Sequence, residues 1–363
     1  MAGQSDAATA STGFDGLIHA RPPLGGVQRE DLLATAAGLV GAALVFAVMF
    51  WVVDAREVLA AASRADPVLL AAVAGVILLW NASWGLALWN VLRALDIRIP
   101  VRTALLVNAA GAFANHVTPF GQAGGEPVTA WLLSQTAGTD YEVSLASITS
   151  LDAINVVPSL AFAAVGSLYY VTTETDGELG LLPLAVIGAA IVLPIVAALV
   201  WRYRTTIRGR AGGTVAAVVH RVVGAIPRVS LPDAETVAER ITGFTNAVGR
   251  VAVSRERLVA ALGCSALGWA LQAFALWVTF IALDSFVPLY VPFFVLPLGK
   301  VGSVLPTPGG LGGTEAINVT LLTLLTAVSA PTIAAVVTIH SVGGYLLTTT
   351  VGAAATSALG VRA

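Results

Sequence analysis

Long apolar runs separated by short polar stretches set the elements of this chain. Runs at about 32–53, 67–92, 143–171, 180–201, 258–283 and 331–358 are each long enough to cross the hydrocarbon of a bilayer as one helix. Two further apolar regions, 101–137 and 288–330, are interrupted near their middles by glycine and proline. Each of these folds either as two short spans or as a re-entrant helical hairpin, and both options return the chain to the side it left. The pattern predicts an all-α, polytopic transmembrane helical bundle. Residues 1–31 are polar and read as a flexible cytoplasmic tail before a transmembrane domain over 32–363. The run at 32–53 is too long for a signal-peptide core, so it stays as the first span.

The two interruptions are alike. The first reads Thr118-Pro119-Phe120-Gly121-Gln122-Ala123-Gly124-Gly125-Glu126, and the second Thr307-Pro308-Gly309-Gly310-Leu311-Gly312-Gly313-Thr314-Glu315. Thr, Pro, the first shared Gly, a later Gly and Glu fall at the same offsets, 189 residues apart. Broken apolar segments at corresponding places in two halves point to a midplane binding site and to candidate inverted repeats.

Composition agrees with the pattern. Of 363 residues, 57% are hydrophobic and only 11% charged, with a mean hydropathy of +0.85. The charged fraction is about half that of a soluble domain. The single cysteine, Cys264, excludes an intrachain disulfide and lies in an apolar run.

Charge placement gives orientation. Segment 202–257 carries ten arginines against four acids and is assigned to the cytoplasm. By parity, the acidic stretch Glu174–Glu178 lies outside and both termini inside, which puts 16 of the 19 basic residues on the cytoplasmic side. A plasma-membrane location with cytoplasmic termini follows. Within 202–257, Ser230 and Pro232 start a helix carrying Val237, Ile241, Phe244 and Val248 at helical spacing. This piece is either an ordinary connector or an interfacial helix on the anionic inner leaflet.

Ionisable groups inside spans are costly and need partners or a wet cavity. The candidates are His116, Glu126, Asp152, Lys300, Glu315 and His340. Glu126 and Glu315 read in two ways: as caps at helix starts, favoured by the macrodipole, or as ligands for the cationic part of a substrate. Lys300 can pair with either or with a phosphate. The substrate-binding set is therefore Asn115, Thr118, Pro119, Gly121, Gly124, Gly125, Glu126, Lys300, Thr307, Pro308, Gly310, Gly312, Gly313 and Glu315. His116, Asp152 and Asn155 are candidates for a proton or polar relay. Asp152 and Asn155 share a helix face and equally suit an interhelical hydrogen bond, while His340 reads as a helix–helix contact.

Enzyme signatures are absent from the sequence. Gly299-Lys300-Val301 lacks the rest of a phosphate loop, and there is no HExxH, no GxSxG and no metal-ligand spacing of His and Cys. No catalytic residue, cofactor or metal is expected, and no nucleic-acid partner.

The two motifs, extended to Asn115-His116-Val117 on one side and Leu305-Pro306 on the other, resemble the transmembrane, flippase-like region of lysylphosphatidylglycerol synthases and their stand-alone relatives. The resemblance covers about 32–358. In the full-length synthases a soluble aminoacyltransferase domain makes the lipid and the membrane region moves it. Here the sequence ends at Ala363, after the last predicted helix, so the resemblance implies translocation of a polar-headgroup lipid rather than its synthesis. Relatives often carry a basic residue just after the first Gly-Gly-Glu, where this chain has Pro127-Val128-Thr129-Ala130. An aminoacylated phospholipid or a lipid-linked glycan is the expected substrate, with a separate lipid-modifying synthase or glycosyltransferase as partner. The alternatives are a transporter of a small polar solute or ion, and a membrane accessory to lipid-linked glycosylation.

Overall fold

A computed structural model describes residues 55–118, 122–174, 249–251, 253–304 and 307–360, with isolated helical positions at 40, 43, 44, 47, 48 and 188. The tail 1–31, most of the spans 32–53 and 180–201, most of segment 202–257, and Pro119 and Gly121 lie outside the described residues.

The described elements are all helical. They are α1 (Ala55–Ala62), α2 (Pro67–Ala94), α3 (Val101–Val117), α4 (Gln122–Ala137), α5 (Tyr141–Glu174) and α6 (Arg255–Ala282). Then come α7 (Tyr290–Gly299), which tightens into a 3₁₀ turn at Lys300–Val304, a short 3₁₀ turn at Pro308–Gly310, and α8 (Gly313–Leu325). The chain finishes with α9 (Ala330–Thr338), a π-helical turn at Ile339–Gly343 and α10 (Gly344–Ala358). Among the described residues, four stretches are long and apolar enough to span: Pro67–Ala94, Tyr141–Thr172, Arg255–Ala282 and Ala330–Ala358. Their bounds fall within a few residues of the runs read from the sequence. Large apolar side chains such as Leu79, Val165, Val259 and Leu324 are exposed on the outside, as lipid contact requires.

Local chemistry explains where these helices start. Asp66 caps α2: its Oδ1 accepts from the backbone N–H of Val68 at 2.7 Å and of Leu69 at 3.2 Å, with Pro67 in the first turn. Asp66→Ala is therefore expected to destabilise the protein by about 1 kcal/mol, read as a lower melting temperature in detergent.

Both interrupted regions fold as helical hairpins. In the first, α3 and α4 pack against each other; in the second, α7 and its 3₁₀ turn pack against α8. With 13 residues α8 rises only about 20 Å, so it starts inside a hydrocarbon layer of about 30 Å. Alone, α8 is too short to cross the layer, as a re-entrant hairpin requires. The break of the second hairpin needs glycine at Gly310 and Gly312, whose φ angles of 71° and 91° disfavour any side chain.

Two apolar clusters hold the bundle. One centres on Phe280, Phe294, Val295 and Ile333 from α6, α7 and α9. The other joins Leu88, Val107, Leu133, Ile148 and Leu151 from α2 to α5. The space between them is not filled.

Candidate functional site

A cavity of about 800 Å³ lies at this junction, and residues of both interruptions line it. Its wall is built from α2 to α6, the end of α7, the second break, α8, the π-turn and α10. Of the substrate-binding set, Asn115, Glu126, Lys300, Gly310 and Glu315 reach it, as do His116, Asp152 and Asn155.

The remaining described members of that set shape the hairpins and do not line the cavity. Thr118 Oγ1 donates to the carbonyl of Ala114 at 2.9 Å, and a Cβ on Gly124 would stand 2.8 Å from that threonine. Gly125 lies against the side chain and backbone of Asn115, which lets α3 and α4 touch. At the second break, Thr307 is buried and donates to the carbonyl of Leu311 at 2.8 Å, and Pro308 is buried beside it. Gly312 and Gly313 form the start of α8. The second hairpin repeats the packing device of the first: Gly299 lies against Asn318 as Gly125 lies against Asn115.

The two glutamates are not equivalent. α4 begins at Gln122, four positions into its motif, whereas α8 begins at Gly313, six positions in. Glu315 consequently falls in the first turn, where its Oε2 accepts from the N–H of Gly312 at 2.6 Å and the carboxylate also meets the hydroxyl of Ser341. It is 3% exposed and acts as a cap. Glu126 falls beyond the first turn and instead faces Asp152 of α5 at hydrogen-bonding reach. Two carboxylates can only accept, so this pair needs a shared proton or a cation between them.

Lys300 follows the last residue of α7 and shares the cavity wall with these acids. Its side chain is solvent-accessible although protein surrounds it, because the accessible surface faces the cavity. It interacts electrostatically with Glu315 and Asp152, yet among the described residues no carboxylate reaches it at ion-pair distance. Further cavity-lining groups hold buried polar atoms without a protein hydrogen bond: Trp84 Nε1, Asp152 Oδ2, Gln272 Oε1 and His340 Nδ1. Buried polar atoms are ordinarily satisfied, so this concentration marks a place built for a polar guest or water.

The relay candidates separate. Asn155 Oδ1 accepts from Ser265 at 2.6 Å and its carbonyl from Trp269 Nε1 at 3.0 Å, so Asn155 joins α5 to α6. The His116 Nδ1 lies 2.7 Å from Thr349 Oγ1, and its ring stacks on Tyr345 with centroids 4.0 Å apart. Tyr345 in turn donates to the His116 carbonyl at 2.8 Å, and Gly309 abuts both rings. His116 therefore ties the first break to the second and to α10. His340 packs on Trp80, as a helix contact should, but it also lines the cavity from a π-helical turn, an irregularity frequent at functional sites.

The sequence reading passed over the α2 and α6 wall. Trp80 and Trp84 are one helical turn apart, Trp269 meets Trp84 edge-on at 6.2 Å, and Asn81, Asn108 and Gln272 add amides. A signal was present: Asn108 and Asn115 are seven apart and share a face of an apolar helix.

The fold and this cavity define a multi-pass helical membrane protein with a charged chamber enclosed by its spans. The profile of the lysylphosphatidylglycerol synthase TM region matches residues 35–352, and the chain belongs to that family. It is similar to two UPF0104 membrane proteins of Methanothermobacter thermautotrophicus. One is 26% identical over 284 residues, covering 76% of this chain and 78% of the relative. The other is 25% identical over 282 residues, covering 75% and 80%.

Proposed function

We propose that this protein is a lipid translocase which passes the headgroup of a polar lipid through the cavity while the acyl chains stay in the bilayer. The observation that carries the reading is that Lys300, Glu126 and Asp152 line one chamber of about 800 Å³, with no ion pair to Lys300 among the described residues. Lys300 supplies the charge for a headgroup phosphate. The Glu126–Asp152 pair takes the cationic or hydroxylated remainder, or exchanges a proton during transport. The chamber is of the size that holds small ligands. The hairpins act as the moving units, with the two halves rocking about the site as inverted repeats do. In this reading the protein is a carrier and no enzyme, sits in the plasma membrane with cytoplasmic termini, and receives its lipid from a separate synthase or glycosyltransferase.

The test is headgroup exchange in proteoliposomes containing fluorescent phospholipids, with wild type and Glu126→Gln. Glu126 is preferred to Glu315 because the latter caps α8 and its loss perturbs the fold. Wild type is expected to accelerate leaflet exchange, and Glu126→Gln to slow it by about fivefold or more with an unchanged melting temperature. Exchange no faster than in protein-free vesicles, across several headgroups, would overturn the translocase reading in favour of a small polar solute.

A further inference from the structure

At the end of α2, two guanidinium groups approach one indole. Arg93 closes α2 and Arg257 opens α6, and each carbon Cζ stands 5.7 Å from the ring centroid of Trp89. The ring is held in place by its own Nε1, which donates to the carbonyl of Ile99 at 3.1 Å. Arg257 also donates to Asn90 Oδ1 at 3.4 Å, a neutral acceptor. Both arginines are half-buried. The acids adjoining them in sequence, Asp96 and Glu256, are exposed, and among the described residues neither guanidinium forms a salt bridge.

Two cations held on one ring make a local positive field that attracts an anion. Depth tells which anion. The spanning helix α2 has 28 residues and its midpoint falls at Trp80 and Asn81, so Arg93 lies about twelve positions beyond it, a rise of about 18 Å. A group that far from the middle of a spanning helix lies just past the half-thickness of the hydrocarbon, about 15 Å, at the level of lipid phosphates. Tryptophan favours this interfacial layer, and a planar guanidinium fork matches phosphate oxygens.

We infer that Arg93 and Arg257, braced on Trp89, form a binding site for the phosphate of an anionic bilayer phospholipid at the rim of the bundle. The lipid neutralises the pair and ties the end of α2 to the start of α6, two helices that pack along most of their length. The site stands whether or not the cavity translocates lipid.

Native mass spectrometry of the purified full chain with equimolar phosphatidylglycerol and phosphatidylcholine tests this. Wild type is expected to retain phosphatidylglycerol preferentially. Arg93→Gln with Arg257→Gln should cut that retention about tenfold, as loss of charge-assisted contacts would. Arg98→Gln with Arg102→Gln removes the same charge from exposed neighbouring positions and should leave it intact. Equal loss in the Arg98/Arg102 control means diffuse attraction and overturns the site, as does equal retention of both lipids by wild type. Should the Arg93/Arg257 variant not fold, Trp89→Leu keeps both charges and removes the brace. Weaker retention supports the site, and unchanged retention overturns it.

Discussion

Lys300→Met is expected to lower leaflet exchange at least about tenfold, equivalent to about 1.4 kcal/mol of headgroup interaction, while the melting temperature holds or rises. The two halves of this expectation come from the same geometry. A lysine inside a span costs roughly 2.5–3.5 kcal/mol on insertion scales, and Lys300 recovers part of that from longer-range attraction to Glu315 and Asp152. Among the described residues no ion pair offsets the rest. Methionine has nearly the same shape and no charge, so the folded state loses little when the ammonium goes. Transport loses the one cationic group that the described cavity wall presents to a phosphate. Lys300→Arg keeps the charge and should keep most of the exchange. A fall in melting temperature that parallels the fall in exchange would assign Lys300 a structural role. Undiminished exchange with methionine would remove it from the substrate path altogether.

How far the sequence carries the structure differs from element to element. The spans 67–94, 141–172, 255–282 and 330–358 were legible because length and hydropathy alone decide them. The hairpins were legible as interruptions because proline and glycine cluster there, although Gly124, Gly125 and Pro127 themselves lie within the first turns of α4. The division of labour inside the motifs was not. Glu126 and Glu315 occupy the same motif offset, but a shift of two residues in where the helix starts turns one into a cap and leaves the other facing Asp152. Helix starts are set by side chains several positions away and by packing, and a nine-residue motif does not contain them. The threonines read as substrate hydroxyls bond backbone carbonyls instead, the default for Ser and Thr in helices. Trp269 and Gln272 of α6 went unread because a lone polar or aromatic residue in an apolar run signals nothing until another helix is placed beside it, whereas Asn108 and Asn115 on α3 carried a spacing signal. The π-turn at His340 holds Ser341 and Gly343 and runs into Gly344, but small residues are frequent in spanning helices and do not single it out.

Gly302→Ala is expected to destabilise the protein by at least about 3 kcal/mol and to leave little monodisperse protein in detergent. Gly302 lies in the 3₁₀ turn after Lys300, and a Cβ there would collide with the carbonyl of Gly313 and stand 2.5 Å from the Thr314 nitrogen. All these atoms are backbone, so no rotamer change relieves the clash; the start of α8 has to move. That movement displaces the capping bond between Glu315 and Gly312 and the turn that carries Lys300, so what protein survives should also exchange lipid poorly. Gly75→Ala and Gly263→Ala are the controls, because nothing lies within 4 Å of a Cβ at either position. Both sit inside spanning helices, where alanine is the better helix former by about 1 kcal/mol, and both should be neutral or slightly stabilising. A melting temperature for Gly302→Ala as high as theirs would show that the second hairpin tolerates separation of its arms. Its tight closure would then not be what holds Lys300 and Glu315 on opposite sides of one break.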